Sequence, residues 1–541
     1  MSESFGRGVS IKPTIKPKMR PVSTDIGKIA GKRLDFRLTD KRKHSNFCFL
    51  NEFLTQCGLP PYHTALLRIF SLARKLDFSC MLLDEIVSAD SKILTEENSA
   101  IAKVKSGYLG SKVYKFSFFK EVGEESQVRP KHFLGYVVFK VDYFDNERPF
   151  GYIFESIMSP PRDHSHNSFL HCRRHYSVTN SIGNGFVVEG TLYAQQSGYS
   201  FVCAHVAIRT ALACVLPDGD ISYSTIAQLS KSRSGLEPNE MSPVFDALGI
   251  QYQKLAFEPS YPSESISDDI DFMKMIYGHM ESSCPVLLGF EGTRNRQGIV
   301  PRHIVPILGH TFNEDSWVPP SNRGYFGNTL SYYPSEQWAS SHLIHDDNFG
   351  AYYCVPKHFI SRINFRLLFG ISRNCLSLLA DKAEAIALNW LYQYAIKLPT
   401  QDNENNRWFN LFQIYAQHGL LVLRPIFVSK DDYLTHLRES LNVISGEQVE
   451  TSIINQCDQS LPENFWMVEV SCPELFSATR RKFGEVILSS DSCENAFDYT
   501  SFLMLRLPGL FILKGCAGSL QKVLLLDTDI KGHTQIFSEF D

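Results

Sequence analysis

The order of patterns in the middle of the chain constrains its fold most. Between about residues 186 and 360, helical spacings come first and strand-like alternation follows. "GFVVEGTLYAQQSG" opens the stretch, and "CAHVAIRTALACV" follows it with Val206, Ala207, Thr210, Ala211 and Cys214 on one side of a helix. "ISYSTIAQLS" and a second short helix come next, the latter begun near "EPNE" and stopped by Gly249. Then "PVLLGFE", "RHIVPILGH" and "SHLIHDDNFGAYYCVP" read as strands separated by turns. Helices first and strands after predict an α+β fold, with helices packed on an antiparallel sheet.

A chain of 541 residues exceeds one core and suggests roughly three domains. Residues 46–185 read as a mixed α/β domain, with a helical stretch broken at Gly-Leu-Pro-Pro and then the strands "KVYKFSFF", "FLGYVVFKVDYF" and "GYIFESIM". Residues 186–360 are the central domain. Residues 361–541 form a second flanking mixed α/β domain, which begins with the helix "CLSLLADKAEAIALNWLYQYAIK" and carries no chemical motif. Residues 1–45 are basic and poor in large apolar residues, which predicts a flexible tail. It is a solvated leader or an arm that docks nucleic acid, membrane or a partner.

The apolar fraction of 43% and net charge of −4 are those of an ordinary globular protein and favour no acidic or basic partner. No run near ~18 apolar residues predicts a membrane span. Thirteen cysteines are scattered singly, with no C-x-x-C pair, so neither a disulfide framework nor a zinc finger is expected. The chain reads as cytoplasmic. In "RDHSHNSFLHCRRHYS", His164, His166, His171, Cys172 and His175 are dense enough to raise the question of zinc. Their spacings match no standard site, so a polar loop is expected, with no metal and no cofactor.

Cys203 stands where an apolar run turns into the helical pattern. A thiol there feels the positive end of the helix dipole, and its own N–H lacks an intrahelical acceptor, leaving it available to an oxyanion. Taken alone, Cys203 reads equally as a small buried residue. A thiol nucleophile needs a base, and the base an orienting group. His303 begins the strand "RHIVPILGH" just after a loop, which places it at a sheet edge. His310 is at the other end of that strand, on the opposite face, and His205 follows Cys203 too closely on one helix. In "SHLIHDDNFG", a carboxylate at the strand end can accept the His Nδ1 hydrogen. Adjacent strand residues point to opposite faces, so one aspartate is expected to do this, Asp346, with Asp347 as the alternate. The stretch also reads as a plain Asp-Asn-x-Gly turn.

Gln196…Cys203 at the head of a helix, "GLEPNEMSPVFDALGI", "PVLLGFE…RHIVPILGH" and "LIHDDNFG" together resemble the papain-like cysteine peptidase superfamily, nearest the branch of the bacteriocin-leader-processing peptidases. The resemblance covers about residues 190–360. It implies Cys203 as nucleophile, His303 as general acid and base, Asp346 as the His-orienting group and Gln196 as an oxyanion donor. The Gln-to-Cys spacing is one residue longer than the usual papain type, Gln195 is an alternative donor to Gln196, and Ala204 stands where glycine is common. The stretch "TFNEDSWVPPSNRGYFGNTLSYYPSEQW" is long for the connection of two strands and is expected to act as a lid or flap.

The expected activity is hydrolysis of peptide or isopeptide bonds in a protein target. The alternatives are an acyltransferase or transglutaminase-like modifier, and a non-catalytic protein-binding module. The partner expected is a protein or peptide substrate, with further protein contacts through the flanking domains. Nucleic-acid binding rests on the tail alone and is not expected of the folded body.

Overall fold

The computed structural model describes residues 21–38, 45–120, 128–160, 168–170, 172–181, 183, 185–231, 236, 238–256, 272–291, 302–312, 318–319, 324–326, 330–360, 364–372, 377–397, 407–440, 449, 451–477, 480–490, 499–514, 520–523 and 534–537. It is a mixed α+β fold in which nearly all strand pairs are antiparallel.

The first sheet has strands β1 (Lys32–Leu38), β2 (Phe78–Ile86), β3 (Tyr108–Lys120), β4 (Phe133–Phe144), β5 (Phe150–Met158), β6 (Arg174–Thr179) and β7 (Gly185–Tyr193), in the order β1-β2-β3-β4-β5-β7-β6. Helices α1 (Ser45–Gln56), α2 (Thr64–Lys75) and α3 (Lys92–Val104) are inserted between its strands. Gly58 turns the chain between α1 and α2 at φ +78, a conformation that costs glycine little. Strand alternation sorts the two faces. One is aromatic, with Phe53 and Phe70 of α1 and α2 edge-on to Phe116. The other buries charge, including Lys140 paired with Asp142, and Glu155.

The basic stretch expected as a flexible tail over residues 1–45 is not uniform. Its residues 1–20 and 39–44 lie outside the described residues, but 21–38 are built into this unit. The Val22 amide donates to the His175 carbonyl at 2.8 Å, Thr24 Oγ1 donates to Glu155 Oε1 at 2.7 Å, and Ile26 is fully buried. A few anchored backbone and side-chain bonds offset the ordering entropy that the composition alone does not. The charges of β1 suit an edge strand.

The central helices are α4 (Cys203–Val215), α5 (Tyr223–Ser230), α6 (Pro238–Ala247) and α7 (Phe272–Glu281). The central sheet contains β8 (Gln251–Ala256), β9 (Val286–Glu291), β10 (Arg302–Phe312), β11 (Ala339–Asp346), β12 (Gly350–Pro356) and β13 (Asn364–Ser372), in the order β12-β11-β10-β9-β13-β8. Gly249, at φ +66, ends α6 as its pattern predicts.

The boundaries expected at residues 185 and 360 both fall inside structure. β7 pairs with β5, so the strand expected to open the central unit belongs to the first sheet. β13 inserts between β9 and β8 of the central sheet. One buried cluster runs from Val22 to Ile371, so the first two units share a core. Backbone pairing between distant segments decides this, and composition does not report it.

The third sheet is built on β14 (Val422–Ser429), β15 (Asn464–Ser471), β16 (Gly484–Ser489), β17 (Phe502–Leu507) and β18 (Leu510–Lys514). Helices α8 (Ala380–Leu391) and α9 (Arg407–Gln417) cover one face, and α10 (Lys430–Glu439) and α11 (Thr451–Ser460) the other. The stretch expected as a lid contributes to this sheet. Its residues Leu330–Pro334 lie parallel to β14, and buried Tyr332 donates to Glu384 of α8 at 2.8 Å. Its residues 313–317, 320–323 and 327–329 lie outside the described residues. Glu281 of α7 joins the units, accepting from His310 and from Arg424 of β14. Among the described residues no helix is long and apolar enough to cross a membrane.

Candidate active site

Cys203 is the first residue of α4 and is half-buried, while every residue from Ala204 to Val215 is buried. The helix starts here because Val202 is extended (φ −117, ψ 177) and its carbonyl accepts the amides of His205 and Val206 at 3.0 and 3.3 Å. His205 returns the bond, its Nδ1 accepting from the Val202 amide at 3.4 Å. Burial pushes its imidazole down to about 4, so it serves as a neutral cap. Arg209, in the middle of α4 and fully buried, donates to Glu155 of β5 at 3.1 Å and to Asp220 at 3.0 Å. The cysteine therefore sits on a helix clamped to the first sheet.

His303 is the second residue of β10. It pairs in register with Phe290 of β9, whose ring stands edge-on to the imidazole at 5.4 Å. The imidazole is hydrogen-bonded to the Cys203 thiol. Its Nε2 lies 3.3 Å from Asp346 Oδ2 and 3.4 Å from Asp347 Oδ1. The carboxylates thus face Nε2, where Nδ1 was expected.

Both aspartates reach the ring, against the expectation of one. β11 ends at Asp346, so Asp347 is on the turn and strand alternation no longer applies to it. Asp346 Oδ1 accepts the amides of Asn348 and Phe349 at 2.8 and 3.1 Å. These bonds fix the carboxylate that the Asp-Asn-x-Gly turn presents to the histidine, so the turn and the orienting group are one structure.

Electrostatics separates the three groups. Burial pulls His303 down, but its bonds to Asp346 and Cys203 and the charges of both aspartates outweigh that and push it up to about 10. Burial raises Asp346, but the bond and charge of His303 and the two turn amides hold it below the ordinary carboxylate range. Asp347 has only its own amide, and burial and the charge of Asp346 push it up to about 6 against the pull of His303. These shifts favour a protonated His303 ring beside an ionised Asp346.

Hydrogen bonding sets Gln195 apart from Gln196. Gln195 is committed to structure: its Oε1 accepts the Ile153 amide at 2.9 Å and its Nε2 donates to the Asp347 carbonyl at 2.9 Å. Gln196 is half-exposed, seven residues before Cys203. Nothing in the sequence distinguishes two adjacent glutamines. Arg209 and Phe290 likewise carried no local signal. A small cavity beside the sulfur is lined by Ala194, Val206, Ala207, Thr210, Ile304 and His345, with room for little more than one water.

The donor set nearest to a metal site among the described residues is His303, Asp346 and Asp347, whose ligand atoms lie within 4.8 Å of one another. Two carboxylates and an imidazole suit a divalent cation, which would replace the proton on Nε2. His164, His166 and His171 lie outside the described residues, and Cys172 is a core residue whose carbonyl accepts from Thr191. His310 is fully buried against Glu281, away from Cys203.

A larger cavity, about 1050 Å³, opens at the far end of α4 between the 21–28 segment, α3 and α5. Two of its charged groups serve the fold: Asp25 accepts from Ser91 and the Ile93 amide, and Arg174 donates to the carbonyls of Ala213 and Leu216 at the end of α4. No family model matches the chain, and no curated protein matches it.

Proposed function

We propose that the chain is a papain-like cysteine peptidase acting through Cys203, His303 and Asp346, with Gln196 and the Cys203 amide as oxyanion donors. The observation that carries this reading is His303 hydrogen-bonded to the Cys203 thiol on one side and to Asp346 on the other. A structural cysteine needs neither a buried, oriented imidazole nor a carboxylate behind it.

In the reactive form the sulfur is a thiolate paired with the imidazolium. The sulfur attacks the substrate carbonyl, and the Cys203 N–H and Gln196 amide stabilise the oxyanion. His303 gives its proton to the departing amine, and the C–N bond breaks to leave an acyl-thioester. Water then gives a proton to His303 as it attacks, and the C–S bond breaks to release the acid. Asp346 holds the ring by Nε2 throughout, so the nitrogen that faces sulfur is the one that exchanges protons. Replacement of water by an amine would give acyl transfer from the same intermediate.

The test is the rate of iodoacetamide labelling of Cys203 against pH, read by mass spectrometry. Fast labelling below pH 7 that disappears in His303→Ala, with release of p-nitrophenol from p-nitrophenyl acetate lost in Cys203→Ser, is the expected result. Labelling that rises only near the free-thiol value of ~8.5 in both proteins would remove the proposal.

A further inference from the structure

We infer that Glu97, on α3 of the first sheet's unit, is a positioning residue for the loop that carries Gln196, acting through Ser200. The inference rests on the reading of Gln196 as an oxyanion donor. The loop spans residues 195–202, between the end of β7 and Cys203. Its first residue is tied by the Gln195 bonds to Ile153 and Asp347. Its centre folds around one hydroxyl: Ser197 Oγ accepts the amides of Tyr199, Ser200 and Phe201 at 3.2, 3.0 and 3.4 Å. The Ser200 hydroxyl lies 2.9 Å from Ser197 Oγ and donates to Glu97 Oε1.

Gln196 is thus bracketed by Gln195, which is held by the Asp turn, and by a hydroxyl cluster held by Glu97. Tyr199 adds an aromatic contact, 5.0 Å from Phe144 and 5.7 Å from Phe150. Glu97 is 4% exposed, and a carboxylate is costly to bury without reason. Burial pushes it up to about 7, while Lys140, the Ser200 hydroxyl and Arg209 favour its charged form and Asp142 opposes it. Arg209 belongs to the same α4 that begins at Cys203, so one group of charges faces both the donor loop and the cysteine's helix.

An oxyanion donor must be preorganised to within a fraction of an ångström, and a loop of eight residues does not supply that without tethers. Ser200 is the tether, and Glu97 is its fixed end. Glu97→Gln keeps an acceptor oxygen at that place, while Glu97→Ala removes it.

The experiment measures three properties of the full chain: kcat and KM for p-nitrophenyl acetate, iodoacetamide labelling of Cys203, and amide hydrogen exchange over residues 196–202. In Glu97→Ala and in Ser200→Ala, kcat is expected to fall about tenfold or more with KM within twofold. Labelling should stay at the wild-type rate, and exchange in the loop should quicken. Glu97→Gln should restore most of kcat. Ser200→Ala keeps the test alive if the buried Glu97→Ala fails to fold. Wild-type exchange over residues 196–202 in Ser200→Ala would overturn the inference. A wild-type protein with no ester hydrolysis and slow labelling would instead remove the enzymatic reading, and unchanged or quickened exchange would still decide the tether.

Discussion

Gln195 Nε2 donates a 2.9 Å hydrogen bond to the backbone carbonyl of Asp347, tying together chain segments 152 residues apart. One end of that bond adjoins the proposed oxyanion donor and the other adjoins the carboxylates behind His303. The two glutamines therefore have separable roles. Gln196→Ala should lower kcat by about 10²–10³ while leaving melting temperature and Cys203 labelling unchanged. Gln195→Ala leaves the Ile153 amide and Asp347 carbonyl without partners and should cost about 1–3 kcal/mol in urea unfolding. The reverse assignment would show as a stable Gln195→Ala with the larger loss of kcat.

The two aspartates differ in how they support the imidazolium. An NMR titration of ¹⁵N-labelled histidine should place His303 up at about 10 in the wild type. Asp347→Asn removes one of the two charges beside Nε2 and should lower that value by about one unit. Asp346→Asn removes the hydrogen-bonding carboxylate as well and should lower it further. Identical titration in the wild type and Asp347→Asn would show that the second carboxylate is electrostatically idle.

His303 also links stability to pH. Its folded value lies above the unfolded value of ~6.5. A raised histidine stabilises fully below its unfolded value, and that contribution drains away as pH rises through the folded one. Between pH 6.5 and 10 the wild type should therefore lose more unfolding free energy than His303→Gln, by a few kcal/mol. Parallel curves for the two proteins would contradict the coupling.

Arg209 clamps the helix of the cysteine to β5. Arg209→Met leaves Glu155 and Asp220 without their buried cation, and about 3–5 kcal/mol should be lost in urea unfolding at an unchanged m value. A loss under ~1 kcal/mol would mean that the clamp contributes little to stability.

The set His303, Asp346 and Asp347 gives chelation a specific meaning. If the proton on Nε2 does the work proposed, dialysis against EDTA leaves ester hydrolysis unchanged. Activity lost to EDTA and restored by zinc would transfer the chemistry to a metal held by those three residues.

Much of the central region was legible because its polarity alternates with little interference. The helix from Cys203, the α6 stop at Gly249 and the strand carrying His303 all follow from spacing. What was illegible depends on tertiary pairing. β13 had no reading at all, since "NFRLLFGIS" does not announce that it will lie between β9 and β8. The choice between Gln195 and Gln196 needs the position of Ile153, 42 residues away. Asp347 was assigned the wrong side of its neighbour because the alternation rule was carried one residue past the end of β11. Glu97 reads locally as an ordinary charged residue in the middle of a helix.

The late arrival of β13 has a consequence for synthesis on the ribosome. β9 pairs with β10 on one edge and with β13 on the other, so its second edge stays open until Ser372 has been made. At ~5–20 residues per second, the stretch of about eighty residues after Glu291 takes roughly 4–16 s. Through that interval the nascent chain carries a bare apolar edge next to the strand of His303. A chain arrested before residue 364 would therefore hold Cys203, His303 and Asp346 while β9 still lacked its second neighbour.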